Sequence, residues 1–219
     1  MFPVSLNRYE ESIRQLEAYP VETGKVMLYG SSFFAKSHYD RARQQLRDAT
    51  GGALEIVNHG FGGATADELL YYYPRLVTPY APKVVVIRSI YNDLHNGLNP
   101  EQTILLLERL IVWLKHDDPE RVVISLQVND NKRVDDARME ELRHSNHLMN
   151  VMLAQYPGVY SLDINEFFYS DPADIGDRSK LRDVFVEDNI HLTDEAYLEM
   201  ADYLGNKIMD ILHLHEKNC

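Results

Sequence analysis

Cysteine is all but missing from this chain of 219 residues: Cys219, the last residue, is the single one. No intrachain disulfide can form, and a thiol at the end of a chain has nothing to fix its geometry as a nucleophile. Long apolar runs are missing too, since none approaches the roughly 18 residues of a membrane span. Positive charge is scarce. With 22 Lys and Arg against 34 Asp and Glu the net charge is -12, and the sequence pI is near 5.1. That balance argues against a surface that tracks nucleic-acid phosphates, so no nucleic-acid partner is expected. Met1 to Arg8 lead straight into Glu10 and Glu11 with no basic start and apolar stretch. A secretory leader is therefore not expected, and a cytoplasmic location is.

Several signatures of other chemistries are also lacking. Gly60-Phe61-Gly62-Gly63 hints at a dinucleotide fingerprint, but Thr65 stands where the last glycine of G-x-G-x-x-G belongs. His59 with the same glycines hints at an oxyanion loop of α/β-hydrolases, yet no G-x-S-x-G elbow occurs. No lysine follows Gly30-Ser31-Ser32 as it would in a P-loop. His144 and His147 are three apart without cysteine or acidic residues in a recognisable ligand pattern, which fits a solvated helix face better than a metal site. His213 and His215 read as tail residues, and Tyr71-Tyr72-Tyr73-Pro74 as helix packing and surface. No metal and no cofactor is expected. Repeats, low-complexity segments and linkers are absent, so residues 1–219 read as one domain.

What is present is ordinary globular composition, 45% hydrophobic and 26% charged, in a chain long enough to bury a core. Apolar, β-branched runs at Lys25–Tyr29, Leu54–Asn58, Lys83–Arg88, Arg121–Leu126 and Val159–Asp163 read as five strands. Val84 to Ile87 and Val122 to Leu126 hardly alternate, as expected of strands buried on both faces. Helical patterns fall before and between the strands: Arg8–Tyr19, a segment opened by Pro100 and Glu101 with an apolar stripe from Ile104 to Leu114, Ala137–Gln155, and a last one from Thr193 to about Leu212. Thr193 is a plausible cap there, with Ala196 leaving the capping box incomplete. The alternation predicts a three-layer α/β fold around a parallel sheet.

In such a sheet, ligands bind beyond the carboxyl ends of the strands near the topological switch point. Gly30-Ser31-Ser32 leaves the first strand, Gly60 to Gly63 follows the second, and Asn92-Asp93 follows the third. Asp188-Asn189-Ile190-His191 lies in the loop entering the last helix. A serine hydroxyl needs a base to become nucleophilic, which histidine supplies near neutrality. The histidine needs a carboxylate on its far nitrogen to fix its tautomer, and a spacing of three lets Asp188 meet His191 within one turn. The N–H groups of Ser32 and Gly63 and the Asn92 amide are candidate donors for an oxyanion, with glycine at 63 leaving the backbone open to approach. Each piece has a plainer reading. Serine after a strand and glycine is most often a turn residue, Ser31 is an adjacent rival, Asn92 and Asp93 suit a loop, and Asp188/His191 suits a surface turn.

The four segments in this order resemble the blocks of the SGNH hydrolases, the GDSL-type lipase/acylhydrolase family, over about residues 25 to 205. Ser32, Gly63, Asn92 and the Asp188/His191 pair fall on the family's Ser, Gly, Asn and His blocks, which favours Ser32 over Ser31. The resemblance implies a flavodoxin-like five-stranded parallel sheet, with residues 1–24 as an N-terminal helical segment and 25–212 as the catalytic core. It also implies ester hydrolysis through an acyl-enzyme, with Ser32, Asp188 and His191 catalytic, Ser32, Gly63 and Asn92 forming the oxyanion hole, and a small-molecule ester as substrate. Two departures stand out: Gly30-Ser31-Ser32 replaces the usual Gly-Asp-Ser, and Ile90-Tyr91-Asn92-Asp93 the usual Gly-Gly-Asn-Asp. The absence of a long apolar flap leans the expectation towards short acyl groups. Acyl transfer to a sugar or other hydroxyl uses the same residues, and a noncatalytic binding module on the same fold is the rival from another class. Oligomeric state has no signature in the sequence.

Overall fold

Side chains of β1 (Val26–Gly30), β2 (Ile56–Asn58), β3 (Val84–Arg88), β4 (Val122–Leu126) and β5 (Val159–Leu162) alternate between two separate apolar cores. In this computed structural model, which describes residues 7–218, the strands form one all-parallel sheet in the order β2-β1-β3-β4-β5. Met27, Val85, Val123 and Val159 stand in one cross-strand row and face one core. The next row, Leu28, Val86 and Ile124, faces the other. Burial on both faces is what removes the polar alternation from these strands.

Among the described residues, eight α-helices complete the layers: α1 (Glu10–Glu17), α2 (Lys36–Ala49), α3 (Ala66–Leu76), α4 (Tyr91–His95), α5 (Pro100–Asp117), α6 (Asp136–Leu153), α7 (Asn165–Phe168) and α8 (Asp194–Asn218). Ile13, Leu69, Leu107 and Met149 bring α1, α3, α5 and α6 onto one face of the sheet. Leu46, Met200, Leu204 and Ile208 bring α2 and α8 onto the other. This is the three-layer, flavodoxin-like arrangement, and its order reverses between β1 and β3. Among the described residues no helix is long and apolar enough to cross a membrane.

β1 to β4 begin one or two residues later than their apolar runs suggest, while β5 begins at Val159 as read. Leu54, for instance, folds back so that its N–H donates to Thr50 Oγ1 at 3.3 Å before β2 starts. α2 lies where periodicity gave little sign: it is almost wholly polar, with Leu46 buried. Tyr71-Tyr72-Tyr73-Pro74, read as helix packing and surface, falls in α3, which buries Tyr72 and Tyr73 and leaves Tyr71 exposed. Asn92 and Asp93, which suit a loop by sequence, sit in α4. α8 runs past Leu212, so His213 and His215 are helical rather than tail residues, and His215 Nδ1 lies 3.0 Å from the Tyr160 hydroxyl. Thr193 does cap α8, accepting the Ala196 N–H at 3.2 Å. Cys219 and residues 1–6 of the N-terminal segment lie outside the described residues.

Candidate active site

Gly30 ends β1 pressed against β3, where a Cβ would sit 2.3 Å from the Arg88 carbonyl oxygen. The chain then turns at once: Phe34 N–H donates to Ser31 O and Ala35 N–H to Ser32 O. Ser31 is buried by this turn, with its N–H on Arg88 O at 3.1 Å, and Ser32 is left half-exposed at the strand end.

The loop carrying Asp188 and His191 is a tight hairpin. Phe185 and Leu192 pair across it, Val186 N–H donates to His191 O, and Asn189 takes the left-handed conformation at φ 62°. Asparagine tolerates that conformation better than most residues. Asp188 Oδ1 accepts the N–H groups of Ile190 (3.0 Å) and His191 (2.9 Å), leaving Oδ2 2.5 Å from His191 Nδ1. On the far side of the ring, His191 Nε2 stands 2.8 Å from Ser32 Oγ. Burial alone would push the Asp188 carboxyl up, but the bonds from the His191 ring, the His191 N–H and the Ile190 N–H outweigh it and hold it at about 2. Asp188 is therefore ionised at any working pH, and a carboxylate on Nδ1 fixes the tautomer that leaves Nε2 facing Ser32 as acceptor.

Asn92 is the second residue of α4, just past the end of β3, and its Nδ2 donates at 2.9 Å to the carbonyl of Ala64, the residue after Gly63. One amide hydrogen is used there and the second is left for another acceptor. Among the described residues, neither the Ser32 N–H nor the Gly63 N–H has a protein acceptor. Gly63 has φ 78°, and a Cβ on it would lie 2.6 Å from the Tyr9 hydroxyl. Glycine is required at 63 by that backbone conformation and by the N-terminal segment packed over it, as well as by any need for close approach from the substrate side. Arg8 pairs with Glu68, whose Oε2 accepts the Thr65 N–H at 3.0 Å, so the segment braces the whole loop. His59, beside these glycines, turns inward with Nδ1 2.7 Å from Leu76 O and takes no part in the site.

Behind Asn92 lies a residue whose weight the sequence did not reveal. Asp93 is fully buried; its Oδ1 accepts the Ala66 N–H at 2.8 Å and its Oδ2 the Ile90 N–H at 3.3 Å. It thus holds the start of α3 and the turn before Asn92 together. Burial pushes its carboxyl up to about 7 against the pull of those two donors. Ile90 has φ 85° and ψ -57°, a γ-turn conformation strained for a β-branched residue.

A cavity of about 30 Å³ opens at this point, lined by Ser32, His191, Asn92, Tyr91, Arg88 and Asn129, among others. It places three of the four sequence blocks on one wall, while Gly63 adjoins it through Ala64 and Asn92. Arg88, Asn129 and the fully buried Asn131 were not singled out by sequence; the visible signal was an arginine ending an otherwise apolar strand. A wider hollow of about 730 Å³ along α5, lined by Leu98, Leu105 and Val112, contains none of the expected site residues. His144 and His147 lie exposed on α6, and among the described residues no three metal-ligating side chains converge.

Comparison with known proteins points the same way. The family model described as GDSL-like Lipase/Acylhydrolase family matches residues 28–198. No curated protein matches the chain by sequence. Among solved structures, a GDSL-like lipase from Bacteroides thetaiotaomicron is similar at a TM-score of 0.70 and 17% identity, over 94% of this chain and 99% of its own. An acetyl xylan esterase is similar at 0.68 and 17% identity, over 84% of this chain and 99% of its own. A carbohydrate esterase family 3 protein from Talaromyces cellulolyticus is similar at 0.65 and 15% identity, over 87% and 99%. At such identities the likeness is one of fold.

Proposed function

The chain belongs to the GDSL-like lipase/acylhydrolase family and is accordingly a carboxylic ester hydrolase, and from that premise we propose a serine esterase in which Ser32, His191 and Asp188 form the catalytic triad. The observation that carries this reading is His191, whose two ring nitrogens lie 2.5 Å from Asp188 and 2.8 Å from Ser32. Ser32 Oγ attacks the ester carbonyl carbon as His191 Nε2 takes the hydroxyl proton. Asp188 stays ionised and stabilises the imidazolium so formed. The carbonyl oxygen, now an oxyanion, is held by the N–H groups of Ser32 and Gly63 and the second hydrogen of the Asn92 amide. Collapse of this intermediate expels the alkoxide, which receives the proton from His191. Water then attacks the acyl-Ser32 carbonyl, losing its proton to the same nitrogen, and the acid leaves as Ser32 Oγ is reprotonated.

A small-molecule ester is the substrate, and short acyl groups fit best. At roughly 10–15 Å³ of such volume per water-sized group, the 30 Å³ cavity holds two or three heavy atoms beside Ser32. The test is covalent labelling by a fluorophosphonate probe followed by peptide mapping. Modification of Ser32, lost on heat denaturation, is expected. An unmodified Ser32 in folded protein would favour the noncatalytic binding module instead.

A further inference from the structure

Arg88 is the last residue of β3, 7% exposed, and lines the cavity that holds Ser32 and His191. Its guanidinium lies over the Phe33 ring, 5.0 Å from the centroid. Nη2 donates to Asn129 Oδ1 at 2.6 Å and Nη1 to the Gln127 carbonyl. A guanidinium has five N–H donors, and the acceptors here are both neutral. Among the described residues no carboxylate pairs with Arg88, and the ionisable group acting on it is the Tyr197 phenol. Burial lowers its pKa to about 10, so it remains a cation at neutral pH. Burying a guanidinium without a counter-charge carries a large desolvation penalty, and bridging two strand ends does not require it, because a neutral amide donor would do so without that cost.

Further basic residues lie near the cavity. In a chain of net charge -12, the loop after β4 brings Lys132 and Arg133 to the loop of the triad: Lys132 N–H donates to Asn189 O at 3.2 Å and Arg133 Nη1 to Asp188 O at 3.3 Å. Arg133 and Arg138 both act on the Tyr91 phenol at the cavity wall. Arg138 is paired with Glu141, whereas Arg133 meets a backbone carbonyl. Of the two carboxylates in this hairpin, Asp188 is committed to His191 and Glu187 is exposed to solvent.

We infer that Arg88, with Asn129 beside it and Arg133 at the rim, forms an anion subsite, and that the ester this protein cleaves carries a carboxylate or another small anionic group close to the scissile carbonyl. The subsite rests on the serine-esterase reading for the identity of the reacting bond, but not for the binding itself. A guanidinium offers a carboxylate two parallel donors, and a charged hydrogen bond in a water-poor site contributes more than a neutral one.

The experiment has two arms. In the first, kcat/KM is measured for 4-nitrophenyl hemisuccinate against the equally long neutral pentanoate ester, and for 4-acetoxybenzoate against phenyl acetate, each normalised to its alkaline hydrolysis rate. The first pair places the anion on the acyl half and the second on the alcohol half. One anionic member is expected to be preferred by about 10- to 100-fold, with the preference falling as ionic strength rises and shrinking at least tenfold in Arg88→Gln. Lack of preference in both pairs overturns the inference. The second arm needs no turnover and survives failure of the esterase reading. Binding of monomethyl succinate and of dimethyl succinate to the Ser32→Ala protein is followed by calorimetry, with Arg88→Lys as a charge-retaining variant. At least tenfold tighter binding of the monoanion, retained in part by lysine and lost with glutamine, supports the subsite. Equal binding of the two, or equal loss with lysine and glutamine in folded protein, shows Arg88 to be a structural cross-link and overturns it.

Discussion

His191 Nε2 stands 2.8 Å from Ser32 Oγ across a separation of 159 residues. That contact joins the end of β1 to a hairpin just before α8, and neither partner belongs to the apolar cores that stabilise the sheet. Function at this pair is therefore separable from folding, which is what makes substitution informative.

Ser32→Ala should abolish ester hydrolysis, by about 10⁴-fold or more, without a measurable change in thermal unfolding. Ser31→Ala should retain most activity, because its hydrogen bonds to Arg88 O and from the Phe34 N–H are both made by its backbone. Steady-state rates on a short acyl ester, with unfolding curves for both variants, check this. A dead Ser31→Ala beside an active Ser32→Ala would move the nucleophile by one residue.

The five strands were legible because runs such as Val84–Ile87 and Val122–Leu126 are apolar with little alternation, as in doubly buried strands, and each is followed by turn or helix signals; their order was not in those runs and came only with the flavodoxin-like sheet that the resemblance implies. The candidate site was read as four blocks in order, of which the structure brings Ser32, Asn92 and His191 to one cavity. Arg88 and Asp93 were not. A single charged residue at a strand end looks the same in sequence whether it points to solvent or into a cavity, and only the packing of Phe33 and Asn129 against Arg88, or of α3 onto Asp93, decides. α2 was missed for the opposite reason: with so few apolar residues it has hardly any stripe, and its place is set by docking on α8 rather than by its own pattern.

Asn92→Ala should lower kcat by about 10²–10³-fold with a smaller effect on KM, because a donor to the oxyanion acts chiefly in the transition state. The loss of its bond to Ala64 O adds a structural part, which Asn92→Asp separates: its carboxylate can neither donate to Ala64 O nor stabilise an oxyanion, so it should be at least as inactive. Unchanged kcat in the alanine variant would remove Asn92 from the oxyanion hole.

Ile90 combines full burial with φ 85°, so two effects oppose each other on substitution. Truncating a buried isoleucine costs about 2–5 kcal/mol, whereas the strained backbone stores about 1–3 kcal/mol. Packing wins, and both Ile90→Ala and Ile90→Gly should be less stable than the parent. Between the two, the usual order should be reversed. Glycine is ordinarily about 0.5–1 kcal/mol worse than alanine, but at positive φ alanine keeps the strain and glycine releases it. Urea unfolding should show Ile90→Gly at least as stable as Ile90→Ala; a clear advantage for alanine would mean that position 90 is not strained.

Asp93 and Asp188 should leave opposite marks on stability as pH changes. Asp93 has a folded pKa of about 7 against about 3.9 unfolded, so the folded state holds its proton more tightly. Its contribution is fully present below about pH 4 and is lost as pH rises towards 7, with a slope of at most ~1.4 kcal/mol per pH unit. Asp188, held at about 2, contributes stability above about pH 4 that is lost only as pH falls through 2. Between pH 4.5 and 7 the Asp93 slope therefore acts without interference from Asp188. Urea unfolding across that window should show Asp93→Asn with a flatter dependence than the parent, even though the variant loses the acceptor for the Ile90 N–H. Asp188→Asn should keep the parent slope there while losing most of its activity, since an amide can hold the imidazole in the wrong tautomer. If Asp93→Asn and the parent run parallel from pH 4.5 to 7, the buried carboxylate is ionised in the folded protein, and the start of α3 is held by a charge rather than by a neutral acid.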